Sequence, residues 1–450
     1  MFTRALYLML AIGGSIVAIQ SSRQSTPVST TPSPISSPSP ESFLGSIPLA
    51  KLSQETQLAV AAAIEKARKL PKEARSWVQL GDALSQSFRD TNDAKFYDYA
   101  EGAYQFALGL DVRSTDALCG LAWVYGGRHL FTQSMEFANQ ALALDEMNHT
   151  AVGILGDAEL ELGSYDSALD HYQKMMDLRP DLSSWSRGAH ALWVTGDKSK
   201  AIWLMERAIK AGSPFAENTA WCRAQLALML FNDGALPAAA QILEPALLAT
   251  SLNPHVLLAA GRIALARGDF DAARKHFESL LENGPHHEAL VRLGDLHASQ
   301  GHQAEADKCF AAVESLHAST VASGGHDHMA MAKFYADHDR NLPEAVRLAE
   351  QHKDSRNVLE LDVLAWVYHK NGDQARAIAA MKRALRLNTQ DAEMHFHAGM
   401  IAATAGDTTS ASKHLQTALS LNPQFHPQFA TLAAKTLEKL ASPVTAGLAP

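Results

Sequence analysis

Residues Pro254 to Pro285 read PHVLLAAGRIALARGDFDAARKHFESLLENGP. Apolar and small residues recur at three- and four-residue steps on both sides of Gly268-Asp269, which is the periodicity of two amphipathic helices. Gly268 can adopt the left-handed backbone that ends the first helix, and Asp269 can cap the start of the second. The stretch therefore predicts a helical hairpin of about 34 residues.

The same hairpin recurs along the chain. Its turn glycines are Gly163, Gly196, Gly234, Gly268, Gly301, Gly372 and Gly406. Each is followed five positions later by an alanine: Ala168, Ala201, Ala239, Ala273, Ala306, Ala377 and Ala411. Ala345 follows Arg340 by the same interval, and Asn341 can make that turn. Successive spacings of 33, 38, 34, 33, 39, 32 and 34 residues predict a helix-turn-helix solenoid.

Small residues also mark the expected crossing of the two helices in each hairpin. Gly156, Gly261, Gly294 and Gly399 lie on the first helix, helix A. We expect each to meet the alanine of the second helix, helix B, because a larger side chain would push the axes apart.

With these residues in place, the chain resembles the tetratricopeptide repeat family, whose pattern is W-x2-L-G-x2-Y, then A-x3-F, then P. Trp77, Leu80 and Gly81 match the first half, with Leu84 at the tyrosine position. Ala168-x3-Tyr172 with Pro180, and Ala273-x3-Phe277 with Pro285, match the second. The resemblance spans about Ala74 to Pro423. It implies an all-α solenoid of about ten repeats wound into a superhelix.

The repeats set the predicted domain boundaries. We expect a signal peptide or membrane anchor at 1–20, a disordered Ser/Thr/Pro-rich linker at 21–50 and a lead-in helix at 51–73. Repeats 1 to 7 then occupy residues 74–316, and a loop occupies residues 317–325. Repeats 8 to 10 occupy residues 326–423, followed by a capping helix and tail at residues 424–450. We expect each repeat to contact only its neighbours, so a disulfide among Cys119, Cys222 and Cys309 is not expected.

The first 42 residues indicate export. Arg4 precedes an apolar run from Ala5 to Ile19, which is shorter than a membrane span of about 20 residues and suits a signal-peptide core. Of the 22 residues from Ser21 to Ser42, 17 are Ser, Thr or Pro, a composition that cannot bury a core. A periplasmic or extracellular location is therefore predicted, with anchoring through an uncleaved leader left open.

Composition, segment lengths and motifs argue against several classes of function. The net charge of −9 with 19% charged residues argues against nucleic-acid binding, which needs a basic surface. Outside the repeats no segment is long enough for a catalytic domain, and no nucleotide or nucleophile motif is present. The sequence predicts no catalytic residue, no cofactor and no metal.

In the family that the chain resembles, the inner wall of the superhelix comes from helix A and usually holds a peptide or partner segment. We therefore predict a non-enzymatic protein–protein interaction scaffold with a concave binding groove. Counting in phase from the small helix-A position gives the predicted partner-binding residues Trp123, Asp157, His190, Trp193, Phe231, Arg262, Asp295, Phe334 and Trp366, with Leu228 and Met400 beside them.

Two alternatives remain open. The first is a metal-binding or enzymatic site built on the solenoid near the segment 326–338, which carries His326, Asp327, His328, Asp337 and His338. Its side chains are metal-capable, as are those of the pair His395 and His397. Their spacing matches no zinc template, so solvent-exposed histidines are the simpler interpretation. The repeats could also mediate self-association.

Overall fold

A computed structural model describes residues 39–50, 52, 54–91, 93–213, 216–249, 253–282, 284–322 and 328–441. Within these ranges the regular elements are all helices. The α-helices are α1 (Pro40–Ser46), α2 (Gln54–Lys69), α3 (Ala74–Thr91), α4 (Lys95–Leu110), α5 (Thr115–Gly127), α6 (Phe131–Leu144), α7 (His149–Glu161), α8 (Tyr165–Leu178), α9 (Leu182–Val194), α10 (Lys198–Ala211), α11 (Glu217–Asn232), α12 (Leu236–Ala249), α13 (Pro254–Ala266), α14 (Phe270–Glu282), α15 (His287–Ser299), α16 (Gln303–Ala322), α17 (His328–Asp337), α18 (Leu342–Ala349), α19 (Val358–Lys370), α20 (Gln374–Ala384), α21 (Ala392–Thr404), α22 (Thr408–Leu421) and α23 (Phe429–Ala441). Short 3-10 helices follow α18 and α20, at Glu350–His352 and Leu385–Leu387.

The helices pair as the sequence predicts. From α3–α4 to α21–α22 they form ten hairpins, repeats 1 to 10, in which the first helix is helix A and the second helix B. Helix α2 packs on repeat 1 and α23 on repeat 10, so both ends of the stack are covered. The predicted all-α solenoid is confirmed.

Glycine fixes most of the hairpin turns. All seven predicted turn glycines have φ between 71° and 90°. In repeat 8, where glycine is absent, Asp339 and Asn341 take positive φ instead, and in repeat 2 His129 does so at 59°. Asp269 then caps α14 by accepting a hydrogen bond from the backbone N–H of Ala272 at 3.1 Å. The turns therefore follow local sequence, with Asn, Asp or His replacing glycine at a conformational cost.

The contact at the helix crossing differs from the expectation. The partner alanines are fully buried, but the nearest side chain to each helix-A glycine comes from the residue four positions after the alanine. A Cβ added at Gly156 would lie 2.7 Å from the ring of Tyr172, and one at Gly261 would clash with Phe277. Helix A uses glycine here because a large side chain of helix B, and not the alanine, lies against it.

The superhelix closes on itself, which the nearest-neighbour expectation did not foresee. The turn of repeat 3 meets the segment before repeat 9, where the side chain of Asn357 donates to the carbonyl oxygen of Glu161 at 3.2 Å. Thr389, before repeat 10, donates to the carbonyl oxygen of Val194 at 2.7 Å.

Asn422, before α23, makes the third such bond, to the carbonyl oxygen of Phe231 in repeat 5 at 2.8 Å. Helix α23 stands where helix A of an eleventh repeat would be. Counted in this way, each of the three contacts joins units six repeats apart. We call the three together the coil contact. It corrects the expectation that only adjacent repeats touch.

Two predicted boundaries also need correction. Residues 40–46 of the expected linker form α1, because Ser39 caps it and Phe43 is buried against Trp77 and Phe106. Residues 317–322 of the expected loop are helical, because buried His317 and Thr320 continue the packed face of α16. The leader at 1–20 and the linker up to residue 38 lie outside the described residues. No helix in the described part of the chain combines the length and apolarity needed to span a bilayer.

Candidate functional site

The inner faces of repeats 4 to 10 surround a central cavity of about 860 Å³. Helices α9, α11, α13, α15, α17, α19 and α21 contribute to its wall, together with the turn of repeat 2 around His129, the end of α7 at Glu161 and the segment before α19. The coil contact closes the cavity on one side, since Glu161 and Val194 lie on the wall with Asn357 and Thr389 opposite them. The superhelix thus forms a partly open central cavity along the inner faces of its helices.

Two arginines on adjacent repeats dominate one part of the wall. Arg262 on α13 and Arg292 on α15 both approach Glu288, at 3.7 and 3.6 Å, which is too long for good hydrogen bonds. The Nε of Arg292 and the Oε2 of Glu288 have no hydrogen-bond partner among the described residues. Burial, with the charge of Arg292, lowers the pKa of Arg262. Glu288 is thus shared by the two guanidinium groups, Glu393 acts on both from farther away, and the Nε of Arg292 stays unpaired among the described residues.

A second charged group lies where repeats 8 and 10 meet. The ammonium of Lys333 contacts Asp337 and lies 2.6 Å from Oε1 of Glu393. The indole N–H of Trp366 donates to Oδ1 of Asp337 at 2.9 Å. Burial opposes the charge on Lys333, yet Asp337 and Glu393 outweigh it and raise the pKa of that amine. The cluster is a largely buried ion triplet in which one ammonium serves two carboxylates.

The same residues include a metal-capable set. Ligand atoms of Asp337, Glu393 and His397 lie within 4.8 Å of one another. His397 is held by Asp362 at 3.0 Å through Nδ1, and its Nε2 has no hydrogen-bond partner in the described structure. Lys333 already places a positive charge between the two carboxylates, so a divalent cation would have to displace it. His326 and Asp327 of the alternative metal hypothesis lie outside the described residues.

Glu161 lies where the coil contact meets the cavity. Burial and the nearby carboxylates of Glu360 and Asp157 raise its pKa to about 8. Glu360 is itself paired with His352, Nδ1 to Oε1 at 3.1 Å. Burial acts to raise the pKa of Glu360, but the hydrogen bond and charge of His352, together with Ser355 and His129, lower it. Glu161 is therefore largely protonated at neutral pH, and its ionisation would place two negative charges across the contact.

Comparison with known proteins identifies the repeats. Residues 119–183, 258–314 and 363–424 match the sequence profile described as tetratricopeptide repeat. The chain is a tetratricopeptide repeat protein. Tetratricopeptide repeat proteins bind protein or peptide partners and are generally non-enzymatic scaffolds.

Several solved structures are similar to this tetratricopeptide repeat chain at low identity. Yeast Tom70 is 14% identical with a TM-score of 0.39, and the match covers 84% of this chain and 96% of that one. Cut9-Hcn1 of the APC/C is 13% identical with a TM-score of 0.38, over 90% and 98%. PilW, a type IV pilus biogenesis factor, is 15% identical with a TM-score of 0.39, over 45% and 92%.

Of the nine predicted groove residues, His190, Trp193, Arg262 and Phe334 line the cavity, as does the neighbouring Leu228. His190 is buried, and burial lowers its pKa to about 4, so it presents a neutral ring. That these residues bind a partner stays a prediction.

The two aspartates among the nine do not line the cavity wall. The carboxylate of Asp157 pairs with Arg187 at 3.0 Å. That of Asp295 lies 2.9 Å from Nε2 of His338 and 3.5 Å from Nε2 of His426. The prediction that these two aspartates line the groove is therefore corrected. Each carboxylate instead has partners from other units: Arg187 of repeat 4 for Asp157, and two histidines from later units for Asp295.

The remaining three aromatic residues pack inside the protein. Trp366 and Phe231 are each only 2% exposed. Trp123 contacts the rings of Phe88 and Tyr97 and is half-buried. The prediction that Trp366 anchors a partner is corrected, since its ring is covered by His397 and Phe429.

Sequence reasoning missed several wall residues, above all Arg292, Lys333 and Glu393. Arg292 could have been found, because it lies one helical turn after Glu288 on the inner face of helix A. Lys333 and Glu393 are 60 positions apart and belong to different repeats, so no local spacing connects them.

Proposed function

We propose that the central cavity binds a short segment of a partner protein and that Arg262 and Arg292 hold a carboxylate of that segment. The observation that carries the proposal is the sharing of one glutamate by these two arginines. Two guanidinium groups that face a cavity and share one glutamate at 3.6 and 3.7 Å can accept a further carboxylate through paired N–H donors.

The rest of the wall suits a peptide. Trp193, Leu228, Met229 and Val291 provide apolar surface beside the charged groups. A cavity of about 860 Å³ falls in the range of about 300–1,000 Å³ that is typical of sites for small ligands. This volume favours a short extended segment over a whole helix or domain.

The first experiment locates the site. A photo-cross-linking amino acid at position 228, on the cavity wall, should capture a protein from the native host. The same amino acid at position 203, on the outer face of α10 where Trp203 is 50% exposed, is the matched control. Equal capture at both positions would mean that the cavity is not the binding site.

The second experiment tests the chemistry. Short synthetic peptides with a free carboxyl terminus should bind more tightly than the same peptides with an amidated terminus. Arg292→Met should abolish this preference while Arg274→Met, on the exposed side of α14, should keep it. Binding that is indifferent to amidation, and to Asp or Glu in the peptide, would contradict the carboxylate role.

We propose further that the chain works outside the cytoplasm as a scaffold without catalytic activity. The apolar run Ala5–Ile19 and the Ser/Thr/Pro-rich segment that follows support export. Fractionation of the native host, with the amino-terminal sequence of the mature chain determined, tests location and leader cleavage together. Recovery of the full chain in the membrane fraction would favour an amino-terminal anchor.

A further inference from the structure

The charged side chains on the cavity wall of repeats 6 to 10 do not balance. Helices α13, α15, α17 and α21, with the N-cap residue of α21, contribute three Lys or Arg side chains and four Asp or Glu side chains to it. The cations are Arg262, Arg292 and Lys333, and the carboxylates are Glu288, Asp337, Asp391 and Glu393. Charges that leave water are stable only when they are paired. A bound carboxylate that came alone would therefore add to an existing excess of negative charge.

Asp391 is the carboxylate of this set that lacks a cation. Glu288 has the two arginines at 3.7 and 3.6 Å, and Lys333 serves both Asp337 and Glu393. Asp391 forms no ion pair with any described residue. Its Oδ1 accepts a hydrogen bond from the backbone N–H of Met394 at 2.9 Å, which caps α21, and its Oδ2 accepts none within the described structure. Each wall cation already has a carboxylate partner, whereas Asp391 has a vacant oxygen.

Asp391 faces the same space as the arginine pair. Burial raises the pKa of Asp391, as do the charges of Glu393 and Asp362, while the charge of Arg262 lowers it from beyond ion-pair distance. Arg262 lies on α13 in repeat 6, and Asp391 precedes α21 in repeat 10. Since these repeats are four units apart in the stack, the two charges act on each other across the interior of the superhelix. The cavity thus presents guanidinium groups and an unpaired carboxylate close to one another.

This pairing of charges describes the ligand in outline. A carboxylate held by the arginines and a cation held by Asp391 would together bring no net charge into the cavity. Because Arg262 and Asp391 influence each other without touching, the two ligand charges must lie near each other and cannot be at opposite ends of a long segment. Lysine and arginine provide such a cation in a peptide, as N–H donors on a flexible stem that can reach a carboxylate.

We propose that the segment bound in the cavity carries a lysine or arginine within one or two residues of its carboxylate, and that Asp391 recognises this basic side chain. The assignment of Asp391 rests on the proposed function, because it takes the binding of a carboxylate by Arg262 and Arg292 as its starting point. It narrows the ligand from any segment with a carboxylate to one with adjacent opposite charges. Segments with several carboxylates and no basic residue are then rejected, since they leave Asp391 facing further negative charge.

Isothermal titration calorimetry on the full chain tests this with four acetylated tetrapeptides of alanine and leucine that have a free carboxyl terminus. Two carry lysine as the last or the penultimate residue, and two carry norleucine at the same places. Norleucine has the carbon chain of lysine without the ammonium, so the difference in affinity reports the charge. The better lysine peptide should bind about tenfold more tightly than its norleucine counterpart, as expected for a hydrogen bond to a charged group.

A change at Asp391 assigns the effect to this carboxylate. Asp391→Asn should abolish the preference for lysine, because it removes the charge, and asparagine caps helices as well as aspartate does. Asp407→Asn is the matched control, since Asp407 caps α22 in the same way at an exposed turn. That variant should keep the wild-type preference. Circular dichroism of both variants confirms that they are folded.

Amidated forms of the same peptides separate this proposal from the one on which it rests. If amidation weakens binding but lysine and norleucine peptides bind equally, the role of Asp391 is wrong and the carboxylate role of the arginines stands. A lysine preference that survives Asp391→Asn has the same meaning. If amidation has no effect while the lysine preference depends on Asp391, the carboxylate role is wrong and Asp391 binds the basic side chain alone. Failure of all four free peptides to bind would overturn both.

Discussion

The side-chain amide of Asn422 donates a hydrogen bond to the carbonyl oxygen of Phe231, 191 positions earlier in the chain. Asn422 is completely buried, and the carbonyl lies at the end of α11. Carbonyl groups in the last turn of a helix lack part of their intrahelical bonding, so a donor from elsewhere satisfies them. Asn357 and Thr389 do the same for repeats 3 and 4, which makes the coil contact a set of helix caps supplied from six repeats away.

Removing such a cap should destabilise the fold. Asn422→Ala removes one hydrogen-bond donor from the buried carbonyl of Phe231. We therefore expect a loss of about 1–3 kcal/mol in the free energy of unfolding. Urea unfolding followed by circular dichroism measures it. Asn371→Ala, at an exposed turn, is the control and should change stability by less than about 0.5 kcal/mol. Equal effects would mean that the coil contact adds no stability.

Replacing turn glycines by alanine should distinguish the turns that the coil contact covers from those that it does not. Gly234 and Gly268 have φ of 71° and 77°, so alanine at either position costs a similar strain of about 1–2 kcal/mol. At Gly234 the new Cβ would also lie 2.9 Å from the carbonyl oxygen of Leu421, whereas at Gly268 it meets open space. Gly234→Ala should therefore lower the melting temperature more than Gly268→Ala. Equal shifts, or the opposite order, would show that the segment at Leu421 does not restrict the turn of repeat 5.

Stability should depend on pH through Glu161. Its pKa in the fold is raised to about 8 by burial and by Glu360, whereas an exposed glutamate titrates near about 4.3. A raised pKa means that the folded state holds the proton longer, so its contribution is complete below about pH 4.3 and is lost as the pH rises to about 8. Melting temperature measured across this range should fall less steeply with pH for Glu161→Gln than for the wild type.

The control for this titration is Glu206→Gln, at an exposed position on α10. It should reproduce the wild-type profile. If Glu161→Gln also kept the wild-type slope, another group would be responsible for it.

Replacing Lys333 should destabilise the fold more than replacing a surface lysine. Lys333→Met leaves Asp337 and Glu393 facing each other without their cation, and breaking a buried ion pair in this way costs about 3–5 kcal/mol. Addition of Zn²⁺ or Mn²⁺ should recover part of the loss in this variant, since His397 completes a ligand set. Thermal melts with and without metal measure both effects.

The wild type provides the comparison for the metal response. Its melting temperature should not respond to Zn²⁺ or Mn²⁺, because the Lys333 ammonium already occupies the space between the two carboxylates. Stoichiometric metal in the purified wild type, found by elemental analysis, would return the metal hypothesis to consideration.

The local part of this architecture could be predicted from the sequence. Gly268 and Ala273 recur with their counterparts at a constant interval, because each hairpin needs a left-handed turn and a close helix crossing. Such requirements act within about 34 residues, and periodicity detects them.

The coil contact could not be predicted in the same way. It depends on small rotations between repeats that accumulate over six units, and no window of sequence records their sum. The composition of the cavity wall follows from it. Arg262 was found because its position in helix A points inward, whereas the pairing of Lys333 with Glu393 requires knowing how repeats 8 and 10 are stacked. Asp295 was misplaced for a similar reason, since its partners His338 and His426 come from later units.

The six-repeat register has a consequence for how this protein can evolve. Repeat arrays usually gain or lose whole repeats by recombination, because each repeat packs only against its neighbours. Here the deletion or duplication of one hairpin between repeats 5 and 9 would shift Asn357, Thr389 and Asn422 together, so that all three face the wrong helix ends. The number of hairpins in that interval is therefore fixed by geometry, while the ends of the array stay free to lengthen.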